Sequence, residues 1–195
     1  MIQHTTTVTH RRRGTFALLI AAAALNACSL ASRTPEMRYY TLAVTGTPSA
    51  PLSAPLRLGT FTVDEPYGSA RLAYRTSPYR LEYYTYHRWA AEPRLMVAIA
   101  IRDYVERAAV TGTGAPLELT GHLRRMEEVD GAIGWSGDLA IDLRITRAGA
   151  AVLERSYAET EPAESRDPEA VVAALSRALR RILERALADI PDSPR

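Results

Sequence analysis

The amino-acid sequence predicts an α+β domain, a mainly antiparallel sheet with two helices packed on it, in the order ββββ-α-βββ-α. Three observations support this prediction. Short segments rich in aromatic and β-branched residues alternate between apolar and polar positions. Two longer segments repeat their apolar residues with the period of a helix. The 195 residues, 47% of them hydrophobic, suit one folded domain with a sizeable core.

The strand signals of the first half are separated by turn-forming residues. The proline- and serine-rich segment Thr45–Pro55 connects the first strand to the second. Ser77 and Pro78 join the third and fourth strands as a candidate hairpin. The four predicted strands are Arg38–Val44, Leu56–Val63, Arg71–Thr76 and Arg80–Tyr86.

The first helix begins at Pro93, where the missing N–H of proline costs nothing, and extends to about Ala109. Gly112 and Gly114 mark its exit. Its apolar face consists of Val97, Ile101, Tyr104, Val105 and Ala108.

Three more strands and a second helix complete the predicted domain. The strands are centred on Leu117–Leu123, Leu139–Ile145 and Val152–Glu159, with a loop at Asp130–Gly137 between the first two. Asp167 is the expected N-cap of the last helix, Pro168–Ile190. Its apolar stripe is Val171, Leu175, Ala178, Leu179, Ile182 and Ala186.

The N-terminus has the three-part layout of a secretory signal peptide. A basic segment ending in Arg11–Arg13 precedes an apolar core, Thr15–Leu25, that is too short to span a bilayer. Leu25, Ala27 and Cys28, the only cysteine, resemble a bacterial lipobox, in which the sulfur receives lipid. An ordinary signal peptide cut near Ala27 is the alternative, and a twin-arginine signal fits the spacing less well.

We therefore expect residues 1–27 to be a signal peptide, 28–37 a lipid anchor and tether, 38–190 one α+β domain and 191–195 a tail. Acyl chains on Cys28 would anchor the protein stably to a membrane. Ser29 follows Cys28, and by the usual sorting rule the lack of aspartate there implies the outer membrane, with the domain facing the periplasm.

The composition excludes several functions. The sequence has no lysine, which removes Walker-type phosphate loops and Schiff-base catalysis. Removing residues 1–27 takes three arginines from a net charge of +2 and leaves −1, so nucleic-acid binding is not expected. His87 and His122 lie in no short metal-ligand spacing. We predict no catalytic centre, no metal and no cofactor.

Aromatic residues are concentrated before the first helix, where eight of the ten tyrosines lie between Tyr39 and Trp89. Alternation would place Tyr84 and Tyr86 on one face of the fourth strand and Tyr83 on the other. Cross-strand packing is one explanation. A recognition surface is the other, because tyrosine, tryptophan and arginine are enriched at binding hot spots. The candidate partner-binding residues are Arg80, Tyr84, Tyr86, Arg88 and Trp89.

The sequence resembles the ABC-type transport auxiliary lipoproteins, which include PqiC-like proteins that accompany MCE-domain lipid transporters. The similarity is carried by RYYTL (Arg38–Leu42), the run Leu56–Ala108 and, within it, the aromatic residues that precede the proline-initiated helix at Pro93. This resemblance implies a non-enzymatic subunit that works with an MCE-domain protein, an ABC permease and an ATPase in moving lipids. Phospholipid and further copies of the chain are additional candidate partners.

A different class of function stays open from the residues alone. Small α+β outer-membrane lipoproteins also activate peptidoglycan synthases, although the eight residues Leu30–Met37 are a short tether for reaching across the periplasm. A secreted hydrolase is a third reading, but no polar constellation in the sequence supports it.

Overall fold

The computed structural model describes residues 35–191. The predicted signal peptide, Cys28 and the tail residues 192–195 lie outside this range. Within residues 35–191, seven strands and two helices follow the predicted order, with a single 3-10 turn at Glu65–Tyr67. The strands are β1 (Arg38–Tyr40), β2 (Leu56–Val63), β3 (Arg71–Ser77), β4 (Arg80–Trp89), β5 (Leu117–Asp130), β6 (Trp135–Arg147) and β7 (Ala150–Pro162), and the helices are α1 (Pro93–Val105) and α2 (Pro168–Ala188).

The sheet is mixed, and the prediction of a mainly antiparallel sheet is wrong in this respect. Its order is β1-β4-β3-β5-β6-β7, with β2 also paired to β5. The pairs β3–β4, β5–β6 and β6–β7 are antiparallel, whereas β1–β4, β2–β5 and β3–β5 are parallel. The crossover through β4 and α1 brings the chain back as β5 in the same direction as β2 and β3. β1 and β4 are parallel because the chain reverses twice between them, once before β2 and once in the β3–β4 hairpin.

Both helices lie where their sequence patterns predict. Asp167 caps α2 by accepting a hydrogen bond from the backbone N–H of Glu169 at 2.8 Å. All six residues of the predicted stripe of α2 are buried, as are Val97, Ile101, Tyr104 and Val105 of α1. Helix α2 packs across β5, β6 and β7, and α1 packs against β2.

One close contact fixes the distance between α2 and the sheet. A Cβ added to Gly137 of β6 would lie 2.9 Å from the backbone nitrogen of Leu175. Only glycine therefore allows the helix backbone to approach this closely. The helices cover one face of the sheet, here called the helix side, and the opposite face is called the open face.

The strands differ from the prediction mainly in length. β5 continues to Asp130 and β6 already begins at Trp135, so the predicted loop at Asp130–Gly137 is reduced to residues 131–134. β1 stops at Tyr40, because the chain then leaves the ladder and the backbone N–H of Ala43 bonds to the hydroxyl of Ser176 on α2. α1 ends at Val105, four residues earlier than expected.

Candidate partner-binding surface

An irregular register in β4 decides where its side chains point. Ala73 pairs with Tyr83, but Arg71, two residues back in β3, pairs with Arg88 instead of Thr85. The extra residues of this bulge reverse the expected alternation between the two faces. Tyr84 and His87 consequently share the helix side, whereas Arg88 lies on the open face.

On the helix side, four rings form an aromatic row, which consists of Tyr40, Tyr74, Tyr84 and His87. The ring centroids of Tyr74 and Tyr84 are 4.7 Å apart, those of Tyr84 and His87 5.1 Å, and those of Tyr40 and His87 5.7 Å. The Tyr40 hydroxyl lies 2.7 Å from Nδ1 of His87. Burial, reinforced by the charge of Arg38, lowers the pKa of His87. The row is a packed aromatic array.

A buried carboxylate lies beside this row. Glu128 is 3% exposed and accepts hydrogen bonds from the Tyr84 hydroxyl at 3.1 Å (Oε1) and 3.0 Å (Oε2). Burial raises the pKa of Glu128 to about 7; the charge of Asp130 acts in the same direction and the hydrogen bond from Tyr84 opposes it. Burial likewise raises the pKa of Tyr84. Glu128 therefore titrates near neutral pH.

On the open face, a second buried carboxylate, that of Glu127, is neutralised by an arginine. Arg75 donates to Glu127 through Nε (2.6 Å to Oε1) and Nη2 (3.0 Å to Oε2), and Tyr67 donates to Oε2 at 2.7 Å. Burial and the hydrogen bond to Glu127 raise the pKa of Tyr67 to about 12. The adjacent glutamates 127 and 128 thus occupy opposite faces and different environments.

Beside this pair lies an arginine–tyrosine patch, which we define as Tyr39, Arg71, Tyr83 and Arg88. Tyr39 and Arg71 both stand directly opposite Arg88 in the strand register, and the guanidinium of Arg71 lies 4.8 Å above the Tyr83 ring. Tyr39 is 65% exposed. Neither Arg71 nor Arg88 forms an ion pair with any residue in the range 35–191. Two like charges face each other across the strands, an arrangement that is unfavourable on its own.

The structure separates the five predicted contact residues. Arg88 lies in the arginine–tyrosine patch, with its Nε buried and lacking a hydrogen-bond partner among the described residues. Arg80 is at the start of β4 with its Nε 3.6 Å from Glu82, and Tyr84 belongs to the aromatic row. Tyr86 is half-buried. Trp89 is 3% exposed within the hydrophobic core, so its indole is not available to a partner.

Sequence reasoning missed three members of the patch. Tyr39, Arg71 and Tyr83 come together only because the bulge in β4 brings Arg88 opposite Arg71. A hairpin extended in the register of Ala73 and Tyr83 would place Thr85 there. The sequence shows that arginines and tyrosines are concentrated around the hairpin, but it contains no signal that predicts the bulge.

A histidine network on the open face also escaped the sequence analysis. His122 lies 2.7 Å from the Thr62 hydroxyl through Nδ1 and 2.8 Å from Asp64 through Nε2. In a hydrolytic triad the carboxylate bonds to Nδ1 and the hydroxyl to Nε2, which is the reverse of this arrangement. The group is also exposed, so water is not excluded. We interpret it as a polar link between β2 and β5.

Within residues 35–191 no helix is long and apolar enough to cross a membrane. The same part of the chain holds no group of three or more histidine, cysteine, aspartate or glutamate side chains arranged to bind a metal ion.

The fold and this surface define the class of the protein: a two-layer α+β domain whose surface carries arginine and tyrosine side chains. The chain belongs to a family described as the ABC-type transport auxiliary lipoprotein component, whose model matches residues 40–186. This membership makes it an auxiliary lipoprotein of an ABC transport system, as the sequence resemblance predicts.

Solved structures support the fold. A Xanthomonas campestris protein of the DUF330 family is 22% identical, with a TM-score of 0.64 over 78% of this chain and 96% of that one. A second structure, described as an uncharacterized protein, is 11% identical, with a TM-score of 0.63 over 80% of this chain and 100% of that one. At these identities the likeness concerns the fold alone. No curated protein matches the chain.

Proposed function

We propose that this chain is an outer-membrane lipoprotein subunit of an MCE-type ABC lipid transport system, with a non-catalytic binding and scaffold role. Family membership over residues 40–186 carries the transport role. The chain would work with an MCE-domain protein, an ABC permease and an ATPase. Phospholipid and further copies of the chain are candidate partners as well.

The lipobox supports the location. Lipid attached to Cys28 would hold the domain on a membrane, and Ser29 in place of aspartate favours transfer to the outer membrane with the domain in the periplasm. Residues 1–27 would be removed, 28–37 would form the anchor and tether, 38–190 the single domain and 191–195 the tail.

The arginine–tyrosine patch is the docking surface we assign to the transport partner. An arginine without a carboxylate retains its full capacity for charge-assisted hydrogen bonds, and tyrosine rings beside it add contact area at little entropic cost. The partner surface that fits two arginines without carboxylate partners is acidic. Arg80 and Tyr86 on the same strand remain candidate contacts. Tyr84 is only partly exposed, so only the accessible part of its ring could contact a partner.

A pull-down tests this proposal. The full chain, tagged after Arg195, is solubilised from native membranes in mild detergent, and the retained proteins and lipids are identified by mass spectrometry. Recovery of an MCE-domain protein with its permease and ATPase is expected. Recovery of a peptidoglycan synthase without these proteins would contradict the transport role and favour the activator role.

The location needs its own measurement. Membranes separated on a density gradient should contain the wild-type chain in the outer-membrane fraction, and Cys28→Ser should move it to the soluble periplasmic fraction. Inner-membrane recovery of the wild-type chain would contradict the sorting part of the proposal.

A further inference from the structure

Two large apolar side chains stand fully exposed at the tips of two hairpins. Tyr79, in the turn between β3 and β4, is 97% exposed, and Ile133, in the turn between β5 and β6, has no shielding at all. The other large hydrophobic side chains of residues 35–191 retain more contact with the domain. Tyr79 and Ile133 are here called the hairpin tips.

The hairpin tips project from the same end of the sheet. β3 and β5 are parallel neighbours, and Arg75 stands opposite Val129. Tyr79 follows Arg75 by four residues, and Ile133 follows Val129 by four residues. The two tips therefore extend the same number of residues past one register pair, on hairpins whose centres are about 10 Å apart for strands spaced at ~4.8 Å.

The opposite end of the sheet has a different character. The β6–β7 turn there consists of Ala148 and Gly149, both at positive φ. The loop that leads into β5 is rich in glycine, threonine and alanine between residues 111 and 116. One end of the sheet thus presents two fully exposed large side chains, whereas the turns at the other end consist mainly of small residues, with Val110 there only half-exposed.

The direction of β1 relates the apolar end to the N-terminus. β1 runs parallel to β4, which starts at the hairpin tips, so Arg38 is the residue of β1 nearest to the tips. Arg38 stands opposite His87, seven residues along β4 from Arg80, or at most ~23 Å at ~3.3 Å per residue. Cys28 precedes Arg38 by ten residues, and ten residues span up to ~35 Å. The connecting chain is long enough for Cys28 to lie level with the tips.

We propose that the hairpin tips rest in the interfacial layer of the bilayer to which Cys28 is anchored. This inference rests on the lipid anchor of the proposed function. Tyrosine suits the interface because its ring is apolar and its hydroxyl stays hydrated, and isoleucine adds apolar contact. The acyl chains supply the affinity, and the tips set the orientation of the domain.

The charges near the tips favour an apolar contact over an electrostatic one. Arg80 is 3.6 Å from Glu82 and Arg166 is 3.6 Å from Asp130, so each of these arginines has a carboxylate beside it. The contact should therefore not require anionic lipid. In this orientation Arg88, eight residues from Arg80, stands up to ~26 Å from the membrane at ~3.3 Å per residue, where a periplasmic partner can reach it.

The test uses cysteine substitutions in the lipidated full chain, in which the sulfur of Cys28 is blocked. Ile133→Cys and Tyr79→Cys are labelled with the fluorophore NBD and reconstituted in phosphatidylethanolamine–phosphatidylglycerol vesicles that contain spin-labelled lipid. The matched control is Ala150→Cys, an exposed position at the opposite end of the sheet. We expect at least threefold stronger quenching at positions 79 and 133 than at 150, and the same contrast in pure phosphatidylcholine.

Flotation of the vesicles separates the two possible failures. If the wild-type chain floats with the vesicles but quenching is equal at all three positions, the hairpin tips do not contact the bilayer and only this inference is overturned. If the wild-type chain does not float, the lipid anchor fails and the inference fails with it.

Discussion

The open face of the sheet is built differently in its two halves. On β5, β6 and β7 the arginines have carboxylate partners: Arg124 lies 2.9 Å from Asp142, Arg125 3.0 Å from Asp138, and Arg144 3.8 Å from Glu154. On β3 and β4, by contrast, Arg71 and Arg88 are opposite each other in the strand register, and neither has a carboxylate partner within residues 35–191. Charges that are balanced within the fold have little left for a partner, whereas the two arginines without a carboxylate form the surface that we propose for an acidic partner.

The helix side shows the same division. Helix α2 covers the half formed by β5, β6 and β7, here called the regular half, with buried leucines, isoleucines and alanines. The strands of this half pair almost without interruption. The half with β1, β4 and β3, here called the irregular half, carries the bulge and the aromatic row, whose Tyr84 donates hydrogen bonds to Glu128 at the end of β5. The difference teaches that the charges of the regular half are balanced within the fold, whereas the irregular half carries the surface that we propose for the partner.

Trp89 is an exception to this comparison, because it belongs to the hydrophobic core although it lies in the irregular half. We expect Trp89→Ala to lower the free energy of unfolding by about 3–5 kcal/mol, the usual cost of truncating a buried tryptophan. Urea denaturation of the chain carrying Cys28→Ser measures this loss. Trp89→Phe, which keeps most of the ring volume, should lose less than half as much. A loss below about 1 kcal/mol for the alanine variant would contradict the placement of Trp89 in the core.

Glu128, which lies where β5 meets the aromatic row, should make the stability of the domain depend on pH. Its pKa is raised from 4.5 to about 7 in the folded state. The folded state therefore binds this proton more tightly, and the stabilisation, complete below pH 4.5, is lost as the pH rises to about 7. From the size of this shift, the loss amounts to about 3 kcal/mol.

Comparison with Glu128→Gln isolates this contribution. The unfolding free energy of wild type minus that of Glu128→Gln should fall between pH 4.5 and pH 7 and then stay level. Asp138→Asn, a carboxylate on the regular half, serves as the matched control in the same titration. A difference that does not change with pH would contradict the raised pKa of Glu128 and would mean that the hydrogen bond from Tyr84 offsets the effect of burial.

The sequence predicts the regular half well, because its signals are local. The apolar stripe of α2 and the cap at Asp167 depend on residues within one helix, and the alternation of Leu117, Leu119 and Leu123 depends on one strand. The parallel pairings could not be predicted, since they depend on how the crossover through α1 returns the chain. The bulge likewise depends on long-range packing that buries Trp89 while Tyr83 stays on the open face.

Arg88→Gln should have the smallest effect on stability, and in the favourable direction. It removes a charge that faces Arg71 and an Nε that has no partner within the described residues. We expect a gain of up to about 0.5 kcal/mol, in keeping with the size of cross-strand charge effects. Thermal unfolding by circular dichroism measures it. A clear loss of stability would mean that Arg88 stabilises the fold, which would contradict its assignment as a residue available to a partner.

The most direct test of the account reverses one charge in each half of the open face. Arg88→Glu would stand opposite Arg71 and pair with it, so the fold should be at least as stable as wild type. Arg144→Glu, on the regular half, makes the same charge change at an exposed position. Capture of the MCE-domain protein from native membranes is then compared for wild type and both variants. The account predicts at least a fivefold loss of capture for Arg88→Glu and capture near wild type for Arg144→Glu; equal capture by both variants would contradict it.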